Sequence, residues 1–261
     1  MRYAMLLAYD GTRYQGWQRQ GNTSNTITEK LESVLSRSLG EQVSVTGAGR
    51  TDAGVHALGQ VAAFDTAVPV DPGVVLDALR SYLPEDIAVL DLKKAPERFH
   101  PRLNAMGKVY RYEIREAPYA DVFRRKYQWA LMRPLDIGSM RACADVFLGE
   151  HDFRAFTSDR RPSHSTVREL KTVKIERRDG TVAVTFEGSG FLYNMVRILT
   201  GTLVQAGLGE TGPEQVREAL LSGDRQKAGA TAPAKGLTLV RVIYPDRYDL
   251  SELPLDAQGL V

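Results

Sequence analysis

Gln42-Val43-Ser44-Val45-Thr46, then Gly49-Arg50-Thr51-Asp52-Ala53-Gly54-Val55-His56, then Gln60-Val61-Ala62-Ala63-Phe64-Asp65: the reading of the fold turns on this stretch. Two short apolar runs of strand character flank a loop that holds two glycines, a guanidinium and a carboxylate. Working outward, Thr26–Leu39 places Ile27, Leu31, Val34 and Leu35 on one helical face, with Ser24, Asn25 or Thr26 as candidate N-caps. Before it, Arg2–Tyr9 is an apolar run of strand length. Beyond the loop, Asp71-Pro72 opens a second helix, cap followed by proline, that runs to about Leu83, and Ile87–Leu92 alternates as a strand. The order is strand, helix, strand, strand, helix, strand.

The second half repeats that order without a close sequence repeat. Gly107–Arg115 alternates, with Tyr110, Tyr112 and Ile114 on one face. Ile137–Leu148 is a helix, and Leu170–Arg178 with Thr181–Glu187 form a hairpin about Asp179-Gly180. Gly190–Ala206 carries Leu192, Met195, Val196, Leu199 and Leu203 as a helical stripe; a shorter helix, Pro213–Leu221, and a small-residue loop, Ala228–Gly236, precede a last strand, Leu237–Tyr244. The expected fold class is α+β: two βαββαβ units of ferredoxin-like or RNA-recognition-like type with a junction near 95–107. The expected division is an N-terminal unit 1–100 carrying the loop, a second unit 101–248 with a basic face, and a tail 249–261. That order makes RNA binding plausible and says nothing of catalysis.

With 261 residues, 43% of them hydrophobic and 25% charged, the chain is long enough to bury a substantial core. Ala4-Met5-Leu6-Leu7-Ala8 is too short for a signal-peptide core, and nothing approaches the roughly 20 apolar residues of a membrane span, so the expectation is a cytoplasmic protein with no membrane partner. Cys143 is the sole cysteine, which excludes an intrachain disulfide; it falls in a helical pattern as a small core hydrophobe. Four scattered histidines give no metal-ligand spacing. Lys and Arg number 34 against 32 Asp and Glu, but the charge is uneven. Arg98–Lys126 and Arg154–Arg178 each hold eight basic residues against three acidic ones, the first interleaved with Phe99, Tyr110, Tyr112, Tyr119, Phe123 and Tyr127, the second with Phe156. A charge run is more often a solvated face, yet two such runs with aromatics suit a polyanion with stackable bases.

In the loop, Gly49 and Gly54 permit positive φ or close approach, and Arg50 stands two residues from Asp52, where it would keep that carboxylate ionised. Asp52 is therefore a candidate nucleophile or base. A tight turn with a locally satisfied Asp explains the same eight residues equally well.

Gly49–His56 resembles the catalytic motif of the tRNA pseudouridine synthases of the TruA type. Five further blocks follow suit: Tyr9-Asp10-Gly11-Thr12-Arg13-Tyr14-Gln15-Gly16-Trp17-Gln18; Phe99-His100-Pro101-Arg102 with Lys108–Tyr112; Gly149–Phe153 with Thr166-Val167-Arg168; Gly190–Arg197; and Ala232–Leu237. The resemblance spans roughly Arg2 to Tyr244. Pro101 stands where a small residue is common, and Asn194 where His is expected. The resemblance implies a pseudouridine synthase fold with a central active-site cleft, and conversion of uridine to pseudouridine on the 3′ side of the anticodon stem-loop of tRNA.

It also implies roles. Asp52 is the essential acid, acting at C1′ as nucleophile, at C2′ as base, or at uracil C6. Arg197 is implied as its ion-pair partner; since Val196 and Ile198 flank it in an apolar helix, a guanidinium there calls for a dedicated acidic partner, with a purely structural salt bridge as the rival. Tyr110 is implied to stack on the uracil and assist proton removal from C5, although an aromatic in a strand is more often core. Arg50 is implied to fill the space of an extruded uridine. His56, Arg102 and Arg168 are weaker candidates for RNA contact, whereas His151 and Asp152 read as structural. No cofactor, nucleotide or metal is implied, because an isomerisation conserves every atom; a homodimer is. A non-catalytic RNA-binding module would not need Asp52, and a glycosidase for small nucleosides would not need the basic stretches.

Overall fold

The computed structural model describes residues 1–248; the expected tail 249–261 lies outside the described residues. Two compact units divide between Met106 and Gly107.

The first unit opens with β1 (Arg2–Tyr9), α1 (Ile27–Leu39), β2 (Val45–Gly47), β3 (His56–Asp65), α2 (Pro72–Tyr82) and β4 (Ile87–Lys94). Local chemistry sets the helix ends. The Thr26 hydroxyl accepts the N–H of Glu29, and Gly40, at φ 69°, closes α1 in the left-handed region; Asp71 accepts from Gly73 and Val74 ahead of Pro72. The sheet runs β4-β1-β3-β2 with every neighbour antiparallel: Leu6 faces Val61 and Asp91, and Val45 faces Phe64. That is the ferredoxin-like order, reached because each helix carries the chain over one intervening strand. Ile27, Leu31, Val34 and Leu35 of α1 and Val75 and Leu79 of α2 are buried, as the helical spacing predicts. β3 is buried nearly throughout rather than alternating, as a central strand must be.

The second unit contains β5 (Gly107–Arg115), β6 (Trp129–Ala130), α3 (Ile137–Val146), β7 (Gly149–Asp152), β8 (Val167–Arg178), β9 (Thr181–Gly188), α4 (Met195–Gly207) and α5 (Pro213–Ser222), followed by β10 (Leu237–Ile243). β5, β9, β8 and β7 are successive antiparallel neighbours, and β6 adds a short parallel pair to β5. The hairpin turns on Asp179 and Gly180, both at positive φ. Tyr112, Ile114, Val182, Val184, Phe186, Phe147, Phe153 and Phe156 are buried, as are Leu199 and Leu203 of α4. Cys143 is buried, and burial pushes its thiol up, which fits a core hydrophobe.

Three expectations shift. The strand from Thr238, expected in the second unit, groups with the first, because it pairs in parallel with β3 at Thr238↔His56 and Leu239↔Ala57. The boundary lies at 106/107 rather than 100/101, since Tyr244 Oη donates to Pro101 O at 2.6 Å and Met106 N–H to Ile243 O at 2.8 Å. Helix α4 begins at Met195, five residues after the stripe opens, because Asn194 sits at φ 60°. Among the described residues no helix is long and apolar enough to cross a membrane.

Candidate active site

In the first unit, the loop between β2 and β3 is fixed by main-chain contacts together with buried side chains. Val55 N–H donates to Asp52 O at 3.1 Å, closing a turn in which Gly54 takes φ 78°. Ala48 N–H donates to Val61 O at 2.7 Å, and Gln60 Nε2, fully buried, to Gly49 O at 2.9 Å. The block Tyr9–Gln18 supports the other side. Trp17 N–H donates to Thr51 O at 3.0 Å, Gly54 N–H to Tyr14 O at 3.3 Å, and the Tyr9 and Thr51 hydroxyls lie 2.8 Å apart.

Two glycines make that approach possible. A Cβ on Gly11 would lie 1.9 Å from Val55 O, and one on Gly16, itself at φ 91°, would lie 2.7 Å from Thr51 O. The same block holds α1: Ile27 and Thr28, whose N–H groups have no intrahelical acceptor, donate to Gly16 O and Trp17 O. The clash sets a prediction. Gly11→Ala lowers the unfolding free energy by about 2–3 kcal/mol, read by chemical denaturation, because backbone rather than a flexible side chain must yield.

At the tip, Asp52 is half-buried and engaged, while Arg50 is exposed and forms no hydrogen bond or ion pair with the described residues. Arg50 therefore does not hold the Asp52 carboxylate, contrary to what their spacing suggested. His56 is buried, and its Nδ1 accepts Gly11 N–H at 3.1 Å. Asp10 Oδ1 lies 3.2 Å from the same nitrogen.

Burial pushes the Tyr9 phenol, ordinarily near 10, up to about 12. The unfolded chain therefore loses this proton first, so the phenol's contribution to stability is complete below pH 10 and falls as pH rises from 10 through 12. Tyr9→Phe is expected to unfold less steeply with alkali over that window, and to cost about 1 kcal/mol at neutral pH through the lost hydroxyl pair.

In the second unit, Tyr110 is buried on β5, its ring edge-on to Phe191 at 5.1 Å. Arg197, in the first turn of α4, is gripped from two sides: Nε donates to Ala232 O at 2.8 Å, and an NH donates to Asn194 Oδ1 at 2.7 Å. Asn194 in turn donates through Nδ2 to Ser158 Oγ at 2.9 Å. The departure from His at 194 thus has a physical account, since Asn tolerates the left-handed backbone and presents both an acceptor and a donor. Nothing in the sequence alone linked Ser158 or Ala232 to Arg197; the left-handed tendency of an Asn three residues before a helical Arg was the one signal available.

The remaining candidates divide. Arg102 is exposed, its N–H donating to His100 Nδ1 at 3.1 Å. Arg168 donates to Ser165 O and Val167 O. Of the first basic stretch, Arg124 is committed to the fold, since it donates at 2.7 Å to the buried carboxylate of Glu113, which also accepts from Gln128. Asp152 is structural as expected: Thr166 Oγ1 donates to it at 2.5 Å and Arg154 N–H at 3.0 Å. Among the described residues no three His, Cys, Asp or Glu side chains are grouped to hold a metal.

A family profile described as tRNA pseudouridine synthase matches residues 5–104 and 143–245. Proteins named tRNA pseudouridine synthase A are similar over almost their whole length. The one from Bacillus sp. (strain KSM-64) is 44% identical over 242 residues, covering 93% of this chain and 99% of that protein. The one from Geotalea uraniireducens is 45% identical over 240 residues, covering 92% and 98%. That from Brevibacillus brevis is 44% identical over 245 residues, covering 93% and 99%.

Proposed function

The chain belongs to the tRNA pseudouridine synthase family and is an isomerase of uridine in tRNA, and from that premise we propose a division of labour among its residues. Asp52 is the carboxylate on which the reaction depends. The N1–C1′ bond of uridine breaks, the uracil turns, C5 joins C1′, the C5 proton leaves and N1 gains one, so substrate and product have the same atoms and no cofactor enters. Arg197 serves as the ion-pair partner of Asp52, and Tyr110 lies against the uracil and assists removal of the C5 proton. Arg50 fills the space that the extruded nucleotide leaves. Arg102 is available to RNA, whereas His56 and Arg168 serve by holding the segments that carry them.

The observation that carries this reading is the half-buried Asp52 at the tip of a loop locked by Tyr9, Gln60 and the close approaches at Gly11 and Gly16. A carboxylate on so rigid a support is prepositioned for chemistry. The motif series further supports uridines on the 3′ side of the anticodon stem-loop as targets, a homodimer as the working form, and the cytoplasm as the place of action. The test is release of tritium from tRNA containing 5-tritiated uridine, with the base retained on the strand. A non-catalytic RNA binder releases none; a glycosidase frees the base.

A further inference from the structure

The second unit contains a cleft of about 840 Å³ that the reaction as proposed does not use. Arg154, Arg160, Arg161, His164 and Arg225 line it, opposed by Asp152 and Asp159. The two carboxylates are already spent. Asp152 accepts from Thr166 and Arg154 N–H, and Asp159 Oδ1 accepts Arg161 N–H at 3.0 Å. Arg225 is likewise committed, to the carbonyls of Ala228 and Gly229. The guanidinium groups of Arg160 and Arg161, by contrast, are exposed and make no hydrogen bond or ion pair with the described residues.

We propose that this cleft grips the phosphodiester backbone of the tRNA substrate, with Arg160 and Arg161 as its phosphate ligands; the proposal rests on the isomerase reading and adds to it a second contact surface. No Phe, Tyr or Trp lines the cleft and its charged lining is chiefly cationic, which suits phosphate better than a series of stacked bases. Planar guanidinium forks suit bidentate phosphate contacts. Ser158 also lines the cleft, and its Oγ receives the hydrogen bond of the Asn194 side chain that grips Arg197. RNA held in the cleft is thereby two side chains away from the proposed catalytic arginine.

The experiment compares the full chain with R160Q/R161Q, with the charge-keeping R160K/R161K, and with R217Q, which removes an exposed cation on α5 outside the cleft. Tritium release from tRNA and direct tRNA binding are followed across a salt series. In R160Q/R161Q, KM is expected to rise about tenfold with kcat within about twofold, and the log–log salt slope to become shallower by about 1.5, the value for two lost phosphate contacts. R160K/R161K retains most of the slope, and R217Q behaves as wild type. A wild-type KM and slope in R160Q/R161Q, or an equal change in R217Q, overturns the cleft assignment. So does binding of inorganic phosphate that is lost in R160Q/R161Q while tRNA binding and its salt slope stay unchanged, which marks a site for free phosphate. Absence of tritium release by the wild-type chain refutes the isomerase reading instead, and the binding series still judges the cleft.

Discussion

Asp52→Asn is expected to cut pseudouridine formation by about 10⁴-fold, the upper range for a positioned acid–base group, while tRNA binding stays within a few-fold. Loop geometry gives the reason that the two readouts separate. The turn closes on the backbone carbonyl of Asp52, and contacts from Thr51, Gly49, Gly54 and Val55 lock the loop, none of which the substitution removes. Removing a negative charge also lessens repulsion from phosphate. Asp52→Ala gives the same result with the hydrogen-bonding group gone altogether. The check is chemical mapping of the product tRNA beside an equilibrium binding assay; turnover by Asp52→Ala above background shows that the carboxylate does no chemistry.

Arg197→Lys is the second large effect, with kcat expected to fall about 10²- to 10³-fold and stability by about 1–3 kcal/mol. An ammonium cannot reproduce a fork whose Nε–H meets Ala232 O while a terminal N–H meets Asn194 Oδ1. Ala232 is buried and returns its own N–H to Arg197 O at 3.1 Å, so the loop 228–236 and α4 are tied by this residue in both directions. Arg197→Met removes the charge as well. If Arg197 is the counter-charge of the reacting carboxylate, the acidic limb of the pH–rate profile moves to higher pH in that variant. An unmoved limb in a still-active Arg197→Met enzyme leaves Arg197 with the structural role alone, and thermal unfolding then reports its whole effect.

The two effects differ in how readable they were. The candidacy of Asp52 was legible because the loop concentrates unusual residues in eight positions, and its motif has a recognisable series around it. The grip on Arg197 was not, since Asn194, Ser158 and Ala232 come together only when α4, the segment after β7 and the loop before β10 have folded. Arg124 shows the converse. Its neighbours in sequence made it one of a run of surface cations, and only its contact with Glu113, eleven residues back and buried in β5, reveals an arginine spent on the core.

The sequence by itself determined what depends on neighbours within a turn or two. The caps at Thr26 and Asp71, the proline at the start of α2 and the positive-φ turn at Asp179-Gly180 each fix an element boundary through contacts a few residues long. Repeated twice, those elements give the βαββαβ order and, through it, the α+β class. Tertiary structure alone decided what depends on residues far apart in the chain. Tyr9 reaches Thr51 across 42 positions, Gly11 passes beneath Val55, β10 joins β3, and among the described residues the Arg160 and Arg161 guanidinium groups are left without partners while nearby carboxylates are occupied. Helical periodicity and capping are enforced by the local backbone, whereas close approach and pairing over such distances exist only once the intervening chain has been ordered, so no local pattern records them.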